Sequence, residues 1–240
     1  MTAAVPFRIL AITPPRPDPD AFTPARVRAL VDAWRPMLPG AGGPGLALLL
    51  REPGASLERT LAISETLRGA AADANIPVLT SIHPSDLEGL SATPRVTLEG
   101  LRGVQLKADA EPRAVARARK LGLTASSWWV GRSCHGAPPE QLGAADYECF
   151  APVFTPRTKQ LGVDKQAAGL DALRPWVARG VPVFALGGLT PDNATRCLSA
   201  GAHGVAGISL FFGDAGLVAD NAAQLCAAFR RAPARHAAPP

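Results

Sequence analysis

The sequence predicts a (β/α)8 barrel. Three observations carry that prediction. The chain alternates strand and helix patterns eight times along its length. Its strands read as continuous apolar runs instead of alternating ones, as expected where both faces of a parallel sheet are covered. Polar residues and glycines gather just past the apolar runs, where a barrel keeps its chemistry. Eight units in 240 residues match the size of this fold, about 250 residues. The competing doubly wound sheet would carry a glycine-rich turn after its first strand, and Ile12-Thr13-Pro14-Pro15 is not one. One barrel over residues 1–230 is expected, with the Ala/Pro/Arg-rich residues 231–240 as a frayed tail.

The elements follow in order. Residues 8–13 form an apolar first strand, and Val27, Leu30, Val31 and Trp34 set a helical stripe at i, i+3, i+4 and i+7. Residues 46–50 are the second strand and 57–72 the second helix. Residues 76–82 are the third strand, followed by a weak helix at 85–90 and an irregular stretch to 101. A short strand at 104–106 precedes a helix at 112–121 that begins on Pro112, a residue tolerated in a first helical turn. Residues 126–130 read as the fifth strand, and the Pro-rich stretch 136–143 allows only a short helix. Then come strand 147–154, helix 166–178, strand 181–186, helix 191–200 capped by Thr190 and stopped by Gly201, strand 205–209 and helix 218–230.

Composition narrows the function. With 47% hydrophobic and 19% charged residues the chain is an ordinary globular one, which excludes wholesale disorder. No run of about 18 apolar residues occurs, so no membrane span is expected, and the first residues do not read as a signal peptide. A cytoplasmic protein is the default. The net charge of +5 comes mostly from arginines spread along the chain, and aromatics at 5% are too sparse for a base-stacking surface. Nucleic acid is therefore not the expected partner; small phosphorylated anions are. Oligomeric state stays open, a homo-oligomer included. Cys134, Cys149, Cys197 and Cys226 are widely spaced with no CxxC, so neither a structural zinc nor a disulfide framework is expected.

The strand ends then suggest a site. Gly187-Gly188 closes the seventh strand, and Gly207-Ile208-Ser209 closes the eighth. Glycines let backbone N–H groups approach an anion closely, and the loops after strands seven and eight are the usual phosphate site of the fold. Gly187, Gly188, Ile208 and Ser209 are the expected phosphate contacts.

The C-terminal half carries a resemblance. Asp146-Tyr147, Ala151-Pro152-Val153-Phe154, Thr158-Lys159, the run from Val181 to Asn193 and the run from Ala200 to Ser209 resemble the thiamine phosphate synthase/TenI superfamily, which is built on a (β/α)8 barrel. One branch of it joins hydroxymethylpyrimidine pyrophosphate to thiazole phosphate. The other, TenI, isomerises a carboxythiazole phosphate one step earlier. The synthase pattern Gln-x-Arg-x-Lys reads here Leu49-Leu50-Arg51-Glu52-Pro53, so only the arginine remains. Its Asn-Asp pair falls on Ser81-Ile82, which removes one magnesium ligand and leaves Asp109 as the acidic residue near the other. By contrast, Gly131-Arg132-Ser133-Cys134-His135 is similar to the Gly-Arg-Ser-Val-His of TenI.

That similarity implies a TenI-like tautomerase acting on a thiazole phosphate carboxylate, with no metal or redox cofactor. His135 is then the acid/base residue, its ordinary pKa lying near neutrality. Arg51, Ser133, Thr158 and Lys159 are the expected substrate contacts, with Arg51 facing a carboxylate or phosphate or else bonded to Glu52. Cys134 fills a slot that is hydrophobic in TenI and is read as packing. The second reading is a thiamine phosphate synthase, which alone would use magnesium. The third is a phosphate-binding barrel without catalysis.

Overall fold

The computed structural model describes residues 4–14, 24–93, 98–107, 110–121, 128–139, 145–156 and 166–232. Eight strands close into a parallel barrel in chain order: β1 (Ile9–Ile12), β2 (Leu46–Leu50), β3 (Val78–Ile82), β4 (Leu101–Leu106), β5 (Trp129–Cys134), β6 (Tyr147–Phe150), β7 (Val183–Leu186) and β8 (Gly204–Gly207). The last strand returns to the first, with Ile9 opposite Val205. Around it, among the described residues, lie α1 (Pro24–Trp34), α2 (Leu57–Ala72), α3 (Leu87–Ala92), α4 (Pro112–Leu121), α5 (Gly169–Val177), α6 (Pro191–Ser199) and α7 (Ala215–Arg231).

The period-2 pleat sorts each strand between two cores. Leu10, Ala47, Leu49, Leu79, Trp129, Tyr147, Cys149, Phe184 and Ala206 point inward and fill the barrel. Ile9, Leu46, Leu48, Leu50, Phe150, Val183 and Val205 point outward against the helices. Both sets are apolar, which is why these strands read as unbroken hydrophobic runs. The barrel's inner core is aromatic: Phe7 meets Trp129 and Tyr147 edge-on at 5.4 and 5.8 Å, and Tyr147 meets Phe184 at 5.4 Å. Such pairs contribute about 0.5–1.5 kcal/mol each beyond area burial.

Strand five corrects the sequence reading. It runs over Trp129–Cys134, beyond the expected end at residue 130, so Gly131, Arg132, Ser133 and Cys134 belong to the wall and not to a loop beyond it; residues 126 and 127 of the expected strand lie outside the described residues. Arg132 can lie in a strand because it faces outward and pairs with Glu148 of β6 at 2.5 Å, both side chains 1% exposed. Strand six stops at Phe150, where the chain enters Ala151-Pro152, and β4 begins at Leu101 within the stretch read as irregular. Nearby, buried Asp146 accepts from the Val130 N–H at 2.8 Å and from Arg119 at 2.8 Å, which ties the entry of β6 to β5 and α4. The expected tail, 231–240, lies mostly outside the described residues, and α7 extends to Arg231.

Candidate active site

The C-terminal ends of the strands form the barrel mouth. Arg51 follows β2 on the inward parity of Ala47 and Leu49. Its backbone is held by Thr13, whose fully buried hydroxyl accepts from the Arg51 N–H at 2.9 Å. Thr13 thereby ties the end of β1 to the end of β2, a role that a lone threonine after an apolar run does not announce. The Arg51 side chain is half-buried. No carboxylate pairs with it among the described residues, so the expected alternative of a bond to Glu52 is not realised. Burial pushes its pKa down from the ordinary value, yet a guanidinium stays charged in a protein. Glu52 is half-buried beside it, with Oε2 enclosed and unpartnered.

Gly187 and Gly188 take φ of 96° and 61°, a left-handed region that side chains disfavour. A Cβ on Gly188 would lie 2.4 Å from the Thr155 carbonyl oxygen. Thr190 caps α6: its hydroxyl accepts from the Asn193 N–H at 3.2 Å, while the Asn193 side chain accepts from the Thr190 N–H at 2.9 Å. The Asn193 amide also donates to the Gly188 carbonyl at 3.1 Å, which fixes the loop. After β8, Ile208 is half-buried and Ser209 exposed. That turn is fastened from outside by the Trp34 indole, 3.0 Å from the Phe211 carbonyl, and by the Asn221 amide, 3.2 Å from that of Leu210.

His135 stands exposed one residue past β5, and its Nδ1 lies 2.6 Å from the Ala151 carbonyl. A neutral ring donates there and keeps its lone pair on Nε2. Ser133 lies within the wall on the inward parity and is half-buried. Cys134 points into the helix-facing core, and burial pushes its thiol far above the ordinary range, as it does for Cys149 inside the barrel. Neither is a thiolate nucleophile at neutral pH. Iodoacetamide at pH 8 should therefore leave both unlabelled in the folded protein and label them after denaturation; rapid labelling of the folded chain would contradict their placement. Thr158, Lys159 and Asp109 lie outside the described residues.

The fold and this mouth define a (β/α)8 barrel with its polar groups collected at the C-terminal face. The chain belongs to the thiamine monophosphate synthase family, whose model matches residues 47–211, from β2 to the turn after β8. A protein of Methylococcus capsulatus named thiamine-phosphate synthase is 30% identical over 227 residues, covering 92% of this chain and 88% of its own. A relative from Geobacter sulfurreducens is 37% identical over 123 residues, 48% of this chain and 53% of its own length. Among solved structures, thiamine phosphate pyrophosphorylase from Pyrococcus furiosus superposes with a TM-score of 0.64 over 94% of this chain and 96% of its own, at 22% identity, a likeness of fold.

These findings correct the expectation of a TenI-like isomerase. The relatives are named as synthases, which are transferases. The structure supplies a physical reason why the strand-five motif misled. Arg132, one of the residues carrying the TenI resemblance, faces the helices and is occupied by Glu148. It belongs to the packing of the wall and reports nothing about the reaction in the mouth.

Proposed function

We propose that this protein joins hydroxymethylpyrimidine pyrophosphate to a thiazole phosphate and releases pyrophosphate. The names of its relatives support the reaction, and one observation gives it chemistry: Arg51 is a half-buried cation at the mouth with no counter-ion among the described residues. A desolvated cation left unpaired is costly, and an anionic ligand relieves that cost. In the condensation, the bond between the pyrimidine methylene carbon and the pyrophosphate oxygen breaks, and the electron pair leaves with pyrophosphate. The lone pair of the thiazole nitrogen forms the new C–N bond. Negative charge grows on the departing oxygen, and a fixed guanidinium stabilises that charge more in the transition state than in the ground state. Lys159, with Thr158 beside it, is assigned as a second contact for the leaving group. Gly187, Gly188, Ile208 and Ser209 are assigned to the thiazole phosphate.

No proton is transferred to or from carbon in this substitution, so His135 has no acid/base task. Its assigned work is to hold the Ala151 carbonyl and hence the chain that leaves β6. His135→Ala should lower kcat/KM by about 10-fold or less, the worth of one hydrogen bond, with the pH–rate profile near neutrality unchanged in shape. A limb near neutrality that disappears in the variant would contradict this role.

Magnesium is expected of a synthase, but the described residues do not fit it. Among them no group of three or more His, Cys, Asp or Glu side chains comes together. Ile82 is 3% exposed and packs toward the helices with Leu61, Leu87 and Leu90, and Ser81 offers only a neutral hydroxyl.

The phosphate assignment is tested at Gly188. Gly188→Ala forces a side chain into φ 61° and against the Thr155 carbonyl. It should destabilise the fold by about 1–3 kcal/mol and weaken thiazole phosphate binding at least 10-fold. A folded variant with unchanged affinity, measured by calorimetry, would refute the site. The reaction itself is tested by following pyrophosphate release from hydroxymethylpyrimidine pyrophosphate. Release should require thiazole phosphate, and release at the same rate without it would contradict the reading.

A further inference from the structure

Three neighbouring strands deliver basic side chains to one sector of the mouth. Leu49 on β2 and Leu79 on β3 point into the barrel, whereas Ile82 on β3 and Val104 and Leu106 on β4 face the helices. The period-2 pleat then gives the inward parity to Arg51 after β2, His83 after β3 and Lys107 after β4. His83 keeps extended backbone, φ −80° and ψ 147°, so the alternation carries through to it. Ile82 pairs in register with Leu106, which sets His83 and Lys107 side by side one step further on. Leu50 pairs with Thr80, so Arg51 falls beside Ser81, one inward layer deeper than His83. Adjacent strands lie about 4.8 Å apart and successive inward layers about 6–7 Å. Neither His83 nor Lys107 has yet been given a task.

The surroundings of His83 decide where its proton sits. The Ser85 backbone N–H, which can only donate, lies 3.3 Å from His83 Nδ1. The Ser85 hydroxyl is 2.7 Å from the same nitrogen and 3.4 Å from Asp86 Oδ1, so its proton goes to the nearer acceptor. Nδ1 thus keeps its lone pair, and the proton of the neutral ring is on Nε2. A protonated ring also donates from Nε2, so a donor is present there in either form. Asp86 Oδ2 accepts the His83 N–H at 3.3 Å, which fixes the backbone where the chain leaves β3. His83 and Lys107 are both exposed, and no carboxylate forms an ion pair with either among the described residues.

We infer that the His83 Nε2–H and the Lys107 ammonium, above the Arg51 guanidinium, form a diphosphate site that holds the departing pyrophosphate without magnesium. This deepens, and rests on, the synthase reading above. Diphosphate oxygens only accept hydrogen bonds, and all three side chains here donate them. A diphosphate has oxygens at both ends and reaches both layers of the row, whereas a single phosphate engages one. The usual service of a metal at a leaving phosphate is to neutralise charge on its oxygens. Protonated nitrogens fixed around those oxygens supply the same neutralisation. Magnesium itself requires hard oxygen ligands, and these strand ends present N–H groups and positive charge, which repel a divalent cation. The bond changes are those already written: the C–O bond breaks, its electron pair leaves with pyrophosphate, and no proton has to move.

The test is calorimetric binding of inorganic pyrophosphate and of orthophosphate, first in EDTA and then with magnesium added. It uses the native protein, His83→Asn and Lys107→Met, each checked for folding by its thermal melt. Asparagine still accepts from the Ser85 N–H and keeps the turn, but it is too short to place a donor where Nε2 stands. In EDTA the native protein should bind pyrophosphate at least 10-fold more tightly than orthophosphate. Each variant should weaken pyrophosphate about 10-fold, and magnesium should not tighten it. Unchanged affinity in both variants, or native binding that appears only with magnesium, overturns the site. The native protein should also condense hydroxymethylpyrimidine pyrophosphate with thiazole phosphate in EDTA, a result that needs no variant. Condensation that requires magnesium overturns the metal-free site and leaves the synthase reading intact. Pyrophosphate bound as expected, with no condensation in EDTA or in magnesium, leaves the site standing and contradicts the synthase reading.

Discussion

Replacing Arg51 with methionine should lower kcat/KM for the condensation about 10²–10³-fold, the usual worth of one preorganised group at a developing negative charge. The loss should fall mainly on kcat, because the guanidinium meets more charge on the departing pyrophosphate than on the bound substrate. Stability should hold or rise. The side chain is half-buried and has no ion-pair partner among the described residues, so its removal breaks no bridge and leaves no orphaned carboxylate. Arg51→Lys should recover only part of the rate, since an ammonium lacks the planar fork that grips two phosphate oxygens. Steady-state kinetics with both substrates varied, beside urea unfolding, decide the matter. Unchanged kinetics in Arg51→Met would remove the residue on which the proposed chemistry rests.

The second large effect is on stability. Arg132→Met leaves the Glu148 carboxylate buried at 1% exposure with no cation, and should cost about 3–5 kcal/mol in urea unfolding. Glu148→Leu should cost a similar amount for the mirrored reason. The double variant, Arg132→Met with Glu148→Leu, should return close to native stability, because apolar side chains of similar volume can replace a buried pair at little net cost. Arg132 Nε and Nη1 and Glu148 Oε2 are buried without partners, so the existing pair is incompletely satisfied and the exchange is favoured further. Catalysis in the double variant should stay within about two-fold of native, since both side chains point away from the mouth. Additive losses in the double variant would show that each residue is needed on its own account.

These two arginines also show what the sequence could and could not reveal. The barrel was legible because each strand is covered on both faces, so runs such as Leu46–Leu50 needed no partner to be recognised. The far end of strand five was not, since Gly131, Arg132 and Ser133 read locally as breakers and polar loop residues. Their reasons lie elsewhere: Gly131 clears space for Tyr147 and Gln105, and Arg132 is neutralised by Glu148, 16 residues on. Arg51 stood out as the surviving residue of a pattern, but its lack of a counter-ion among the described residues is a fact of three-dimensional packing. The branch assignment failed at the same level. A motif shared with the isomerase branch reads as a sign of chemistry, while its arginine belongs to the wall.

The central claim is that the mouth of this barrel makes a carbon–nitrogen bond between two phosphorylated heterocycles. Its most direct test is phosphorus NMR of the purified protein incubated with hydroxymethylpyrimidine pyrophosphate and thiazole phosphate. The signals of the pyrimidine pyrophosphate should be replaced by that of free pyrophosphate, with thiamine phosphate appearing in equal amount by mass spectrometry. Persistence of both starting compounds with folded protein, under conditions where calorimetry records their binding, would contradict the account.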